Sequence, residues 1–477
     1  MKLWVEQAGW AAHALGRLSL VVFAFLVVTT PAGTASLFQL GPALTLTSSL
    51  RGEVRVGPVY LAAALGLVLW LGAMVALNKR SRFVPREAVV ALGLMLILSG
   101  FVLGRACCHL PWPDVLLIGA ALTALLLVGS FAFLEVRQPR FALLFPLVVG
   151  CLQAGVGLGQ FLLQRSLGLS WLGELGLDRS MSGISVVETV GVRVLRAYGL
   201  TGHPNHLGGV LSLALLGAVG LWLIGVEPRR HLWLAPLTLI TAGLVVSFSR
   251  AAWGGAAVGL SVLGLCYGLA NRGKLWRQRV AGLWPVLCVI ALTVGLFVLW
   301  LPEMFRVRLT GSVAGTSPLE MGSVERRLNE VRIAWDVIRA HPLWGVGTGL
   351  FPVAASAISD WPAEYWLAVH NVPLWLWAED GLGAVAAWLG LGVMVVGLGW
   401  RKQWHQTGNC APIGVLVAMG WMVSIQTISL FDYYYLPTQG LQAPLWLGLT
   451  CGLWAAGFSP SSPACSDRPG GRVDSPG

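Results

Sequence analysis

Charge is scarce in this chain. Of 477 residues, 21 are acidic and 32 basic, so the four charged types make up 11%, less than half the ~25% of ordinary soluble domains. That excludes a soluble globular domain. No C-x-x-C pair and no Cys/His ligand spacing occurs among the eight cysteines, which removes a zinc ribbon and a thiol redox motif. The formal charge of +11 invites a nucleic-acid partner, but no RNA- or DNA-binding motif accompanies it, so none is expected.

What the chain has is oil. Hydrophobic residues make up 56%, and 23 are Trp, a residue that favours membrane–water interfaces. A spanning helix needs ~20 mostly apolar residues, because lipid cannot solvate unpaired backbone groups. Twelve segments qualify: 18–32, 57–77, 88–104, 113–134, 140–163, 207–225, 232–249, 251–270, 281–301, 372–400, 411–430 and 440–457. The stretch 34–50 is a candidate re-entrant segment. Lys2 and Arg17 before LSLVVFAFLVV give the first span the look of a signal peptide, but the many spans behind it point to a retained helix.

Basic residues orient the spans. With a cytoplasmic N-terminus, the loops NKRSRFVPRE, EVRQPR, VEPRRH, NRGKLWRQR and RKQWHQ fall inside and hold fourteen Lys/Arg. The short outer loops hold three, Arg51, Arg55 and Arg105, or seven once 164–206 is added. The expected fold is therefore an all-α polytopic membrane protein of about 12 transmembrane helices, with both termini cytoplasmic. A single membrane domain would cover 1–460, and the Ser/Pro/Gly-rich tail 461–477 would be disordered. Two long segments, 164–206 and 302–370, land outside, and long loops in compact proteins are usually functional.

Within 302–370, the segment SVERRLNEVRIAWDVIRAHP predicts an amphipathic helix with Ser323 as its cap. Val324, Leu328, Val331, Trp335 and Ile338 form one stripe. Arg326, Arg327, Arg332 and Arg339 fall on its polar faces, either as anion ligands or merely favouring lipid headgroups. The following GVGTG, Gly345 to Gly349, lacks the strand-then-helix context of a dinucleotide fingerprint and predicts a tight turn.

Three further features share the outer face. In SFSRAAWGG the chain must reverse near Ser249, which puts Arg250 at the interface close to Trp253. Such an arginine is costly unless it pairs or snorkels. In GHPNHLGG, His203, Asn205 and His206 precede a span, with Arg193 and Arg196 upstream. The two histidines suit a turn better than a metal, since no third ligand is evident. In HNVPLWLWAEDG, Asn371 predicts an N-cap with Pro373 in the first turn. His370 then stands at the positive end of a membrane helix, where the dipole favours a neutral imidazole beside a bound anion. That is a general-base arrangement. Glu379, nine residues on and about 13 Å deeper, should have an arginine partner, and Glu379–Asp380 could equally be a structural ion pair.

These pieces together resemble the O-antigen ligase and polymerase superfamily, membrane enzymes sharing the Wzy C-terminal signature. The resembling residues are Ser249-Arg250 with Trp253, Arg327 in RLNEVRIAWDVIRAHPLWGVGTGLF, His370-Asn371 with Glu379, Gly381 and Gly383, and the HPN of 203–205 after Arg196. They span 196–400. One departure is that Val331 stands four residues after Arg327, where the family usually has an aromatic, so Arg326 and Arg327 are both candidates. The resemblance implies a metal-independent, inverting glycosyltransferase needing no cofactor. Its donor would be a glycan on undecaprenyl pyrophosphate and its acceptor lipid A-core or another glycan, at the periplasmic face of a bacterial inner membrane. Catalytic candidates are then His370, Arg250 and Arg327. Substrate-binding candidates are Arg196, Arg326, Asn205, Asn371 and Glu379.

The chemistry of the residues agrees. A departing pyrophosphate develops negative charge that fixed guanidiniums can neutralise. No D-x-D clamp for a sugar nucleotide and metal occurs in the chain. Two alternatives stand beside the ligase reading: a polymerase joining lipid-linked repeats, and a transporter, for example of inorganic carbon. A transporter would favour repeated halves and a midplane site, and a non-catalytic scaffold would not need the arginines.

Overall fold

The structure is a computed structural model. It describes residues 86–135, 139–189, 192–224, 230–270, 276–310, 318–360, 369–405, 413–435 and 442–457, with two strands between 44 and 56 and isolated positions before residue 70.

Helices dominate. In chain order they are α1 (Arg86–His109), α2 (Trp112–Glu135), α3 (Pro139–Leu163), α4 (Pro204–Ile224) and α5 (Leu234–Val246). Then come α6 (Arg250–Ala270), α7 (Trp276–Ala281), α8 (Trp284–Trp300), α9 (Pro302–Thr310) and α10 (Pro318–Ala340). The last four are α11 (Phe351–Ala357), α12 (Val372–His405), α13 (Ile413–Ser429) and α14 (Gln442–Ala456). Their apolar composition suits lipid, where a helix pairs every backbone group within itself. Segments of α1, α3, α4, α6 and α12 are each long and apolar enough to cross a membrane. A sixth candidate is the pair α8–α9, bent by 99°, and three apolar helices are shorter: His231–Val246, Ile413–Ser429 and Ala443–Ala455. Ten of the twelve predicted spans carry helix. The spans 18–32 and 57–77, apart from isolated positions, and the tail 461–477 lie outside the described residues.

The chain is thus a multi-pass membrane protein. Its centre is α4, which packs against α3, α5, α6 and α13 and is buried on nearly every side. Helices α6 and α13 meet almost backbone to backbone, since a Cβ on Gly259 would lie 2.8 Å from the Gly420 carbonyl oxygen. Small residues permit that approach. Helix α12 packs on α1 and α13, and α14 on α2 and α13.

The connections hold most of the departures from expectation. Residues Leu44–Ser48 (β1) pair antiparallel with Gly52–Val56 (β2), so the end of the supposed re-entrant stretch is half of a hairpin. Segment 164–206 contains a second antiparallel hairpin, Val186–Thr189 (β3) with Val192–Leu195 (β4). The long loop 302–370 is not open chain, because it holds α9, α10 and α11.

Helix α10 begins at Pro318, which suits a first turn, and not at a Ser323 cap. Its buried face keeps Ile338 of the predicted stripe but is otherwise rotated from it. Leu328 is 67% and Trp335 39% exposed, whereas Glu330, Ala334, Val337 and Ile338 are buried. The packed face is rotated to include a carboxylate, which is tolerable only because that carboxylate is fully hydrogen-bonded.

After α10 the predicted tight turn is present. Gly345, Gly347 and Gly349 have φ of 64°, 119° and 77°, which only glycine adopts readily. The turn locks onto α12, which is broken at Gly381 (φ 84°, ψ −175°). That break frees backbone groups, and the turn takes them up. Val346 N–H donates to the Ala378 carbonyl and Gly347 N–H to the Glu379 carbonyl, both at 2.8 Å, while Leu382 N–H donates to Leu343 at 3.0 Å.

Candidate active site

One end of the bundle gathers the start of α4, the end of α5, the starts of α6 and α12, and the end of α13. Hydrogen bonds between the flanking segments show that these ends are shared. Arg196 donates from Nε to the Ser247 carbonyl at 2.8 Å and from Nη2 to Asn205 Oδ1 at 2.6 Å. Asn205 Nδ2 donates to Asp432 Oδ2 at 2.6 Å, and Asn371 Nδ2 to the Leu430 carbonyl at 3.1 Å.

His370 sits just ahead of α12. Asn371 is the expected cap, its Oδ1 accepting the Leu374 N–H at 2.9 Å. The imidazole Nδ1 lies 2.7 Å from Glu330 Oε2, and the His370 backbone N–H donates to the same oxygen at 3.1 Å. The other Glu330 oxygen accepts from Arg326 Nε at 3.2 Å. Glu330 is 1% exposed, while the His370 side chain keeps 22% exposure. An ionised carboxylate can only accept, so in the neutral imidazole Nδ1 carries the proton and Nε2 keeps its lone pair. Tyr433 stands edge-on to the imidazole with ring centroids 5.0 Å apart, and Trp375 lies 6.0 Å from Tyr433. Burial first, then the charges of Asp432 and Glu330, push the Tyr433 phenol up to about 12, so it stays a neutral hydroxyl.

On the α4 side, His203 Nδ1 accepts the Asn205 N–H at 3.1 Å, and its Nε2 lies 2.9 Å from Ser185 Oγ. Burial and the nearby Arg196 charge hold its pKa well below the usual histidine range. The charges of His370 and Arg327 also bear on it, and Arg327 acts on Tyr433 as well. Arg326 and Arg327 both bear on Tyr433, and Arg327 on His203 as well, while Arg326 also pairs with Glu330 at 3.2 Å. His206 completes this wall, its ring 6.0 Å from His203 and 6.5 Å from Tyr433.

Arg250 opens α6 after the sharp reversal expected there, with Phe248 in the left-handed region at φ 49°. Its Nη1 donates to the Arg308 carbonyl at 3.3 Å, and Arg308 donates back to the Phe248 carbonyl from Nε at 3.1 Å and Nη2 at 2.7 Å. Trp253 stacks on Phe305 with centroids 5.5 Å apart. Since Ser247 in the same turn holds Arg196, the Arg250–Arg308 pair and the His203 wall belong to one network.

Glu379 departs from its expected role. The backbone N–H of Phe351 meets its carboxylate at 3.3 Å. The arginine of this region, Arg105, donates to the Gly345 carbonyl at 3.2 Å and bears electrostatically on Asp380. Asp380 accepts the Thr348 hydroxyl. Both acids thus fasten the glycine turn. The break at Gly381 explains this, since it brings the turn's amides where an arginine was expected.

Residues 234–389 match the family model described as O-antigen ligase. Through this segment the chain is similar to the O-antigen ligase superfamily. The superfamily segment runs from the start of α5 into α12. It contains Arg250, Arg308, Arg326, Arg327, Glu330 and His370, while Arg196, His203, Asn205 and Asp432 lie outside it. The match supports a membrane glycosyltransferase of the O-antigen ligase or polymerase kind. The search of curated proteins returns no match.

Sequence reasoning missed Glu330, Asp432, Tyr433 and Arg308. Glu330 had a signal in its spacing, four residues after Arg326, which is ion-pair spacing on a helix. Asp432 had one in being a lone acid at the end of an apolar span.

Proposed function

We propose that this protein transfers a glycan from an undecaprenyl-pyrophosphate donor to an acceptor hydroxyl at the periplasmic face of the inner membrane. His370 Nε2 takes the proton of the acceptor hydroxyl. The freed oxygen attacks the anomeric carbon from the side opposite the pyrophosphate. The bond from that carbon to the pyrophosphate oxygen breaks, giving an inverted glycoside and undecaprenyl pyrophosphate. Arg327 and Arg250 receive the negative charge that builds on the leaving group. Charge-assisted bonds to phosphate are strong, and fixed donors need no reorganisation during the reaction. Arg196, Asn205 and Asn371 hold the two sides of the site together, and Glu379 fastens the turn beneath it.

The observation that carries this reading is a half-buried imidazole at a helix N-terminus, its Nδ1 held 2.7 Å from the buried Glu330 carboxylate so that Nε2 faces away from that bond. A helix start favours an anion there. The test is transfer by purified protein in nanodiscs supplied with polyprenyl-pyrophosphate-linked glycan and acceptor. Product formation is expected, and formation of no glycoside from this donor would overturn the reading.

Two predictions follow from the arginines. Arg327→Ala should slow transfer about 10²–10³-fold, the usual cost of removing one transition-state donor. Arg326→Ala should slow it only a few-fold, because Arg326 is already turned to Glu330. Equal effects in rate measurements would refute the division between them. Transfer should also proceed unchanged in EDTA. A loss reversed by added magnesium would count against neutralisation by guanidinium alone.

A further inference from the structure

We propose that Glu330 is a positioning residue for transfer: it fixes the tautomer of His370. The inference rests on the reading of His370 as the base.

The geometry is specific. Glu330 is 1% exposed, on a helix face otherwise made of Ala334, Val337 and Ile338. A carboxylate on such a face is costly unless its charge is compensated. Here Arg326 Nε, the His370 backbone N–H and His370 Nδ1 lie 3.2, 3.1 and 2.7 Å from its oxygens. Two of these three partners belong to one residue, so the carboxylate holds the main chain and ring of His370 in register together. The backbone bond fixes where the residue sits, and the ring bond fixes which nitrogen carries the proton.

The tautomer matters because the two ring nitrogens are not interchangeable. Which one is protonated is set by the partner of the other. With Nδ1–H on Glu330, Nε2 is the acceptor for the incoming hydroxyl. When the ring takes that proton, the imidazolium has a carboxylate counter-charge 2.7 Å away. The same logic governs the acid of a Ser–His–Asp triad, where the wrong tautomer disables the base without disturbing the geometry. Arg326 is held on the same carboxylate, at 3.2 Å from its other oxygen.

The test uses full-length protein in nanodiscs with Glu330→Ala and Glu330→Gln, alongside His370→Ala. Glu330→Ala should lower kcat on the order of 10²-fold, within the range that a positioned base contributes, and leave KM for the lipid-linked donor unchanged. Glu330→Gln keeps the side-chain volume and an amide oxygen that can accept from Nδ1, so its kcat should fall less, again with KM unchanged. Spectra of ¹⁵N-histidine-labelled protein give a readout independent of activity. The signal missing in His370→Ala identifies His370, which should be protonated at Nδ1 in the wild type and lose that preference in Glu330→Ala. Wild-type kcat in both Glu330 variants while His370→Ala is inactive would overturn the proposal. So would an unchanged His370 tautomer in Glu330→Ala. If Glu330→Ala does not fold, Glu330→Gln decides: lowered kcat at constant KM supports the role, and raised KM at constant kcat overturns it. If His370→Ala itself transfers glycan, the base assignment falls, whereas the tautomer spectra still decide whether Glu330 orients the ring.

Discussion

A His370→Ala variant should accumulate in membranes at the wild-type level and lose nearly all transfer. The two halves of that result have separate physical causes. Removing the ring takes away one bond to Glu330, but residue 370 keeps its backbone N–H, 3.1 Å from the carboxylate, and Arg326 keeps its 3.2 Å bond. The buried charge therefore stays doubly held, and the fold avoids the large cost of an orphaned carboxylate. The imidazole is itself part-exposed, so its loss leaves no sealed cavity in the core. Catalysis has no such reserve. His203, the next imidazole along the wall, has both ring nitrogens within hydrogen-bonding distance of Asn205 N–H and Ser185 Oγ, and burial disfavours its charged form. It cannot take over the proton. The rate should fall by about 10²–10⁴, the usual contribution of a positioned general base. Immunoblots of membrane fractions and transfer rates in nanodiscs check the two halves. Full transfer by the variant would remove His370 from the mechanism, and transport unaffected by the substitution would favour the carrier alternative.

Much of this site was legible because membrane insertion constrains the chain so strongly. Apolar runs located helices over ten predicted spans, since lipid leaves the backbone no other solution. Alternating basic loops then required the starts of α4, α6 and α12 to share an end with the finishes of α5 and α13, and the bonds Arg196–Ser247, Asn205–Asp432 and Asn371–Leu430 join those ends. Local chemistry was equally readable at Asn371, a cap, and at Gly345–Gly349, a turn.

What stayed hidden lies where one rule yields to another. The stripe on α10 was chosen by hydrophobicity, which assigns charge to water, and so it selected Leu328 and Trp335 and passed over Glu330. A buried carboxylate is invisible to that rule because its partner, His370, lies 40 residues away. The β3–β4 hairpin carried a readable signal, two short β-branched runs on either side of Val190-Gly191. The surrounding search for long apolar spans obscured it. Arg308 and Asp432 matched no motif, since each acts through contacts with distant segments. The break in α12 was hidden for the opposite reason. Residues 372–400 read as one continuous apolar helix, and only Gly381, flanked by Asp380 and Leu382, marks the point where it fails.

Gly381→Ala should cost the protein its folded state or most of its stability, while Gly397→Ala on the same helix should be harmless. At φ 84° and ψ −175°, Gly381 occupies a region open essentially to glycine alone. Forcing another residue there costs on the order of 1–3 kcal/mol in backbone strain. Space adds to this, because a Cβ at Gly381 would lie 2.2 Å from the Leu343 carbonyl oxygen. That oxygen accepts the Leu382 N–H and cannot retreat without giving up the bond. Losing it would loosen the turn from α12 and release the amides that Glu379 and the carbonyls of Ala378 and Glu379 use. The half of α12 above the break carries His370 at its start, so activity should fall along with stability. Gly397, by contrast, has nothing within 4 Å of a Cβ, and alanine in a helix interior is favoured over glycine by roughly 0.5–1 kcal/mol. Thermal unfolding in detergent, read beside transfer rates, compares the pair. A Gly381→Ala protein as stable and active as the wild type would mean that the turn and the broken helix do not depend on each other as their hydrogen bonds imply.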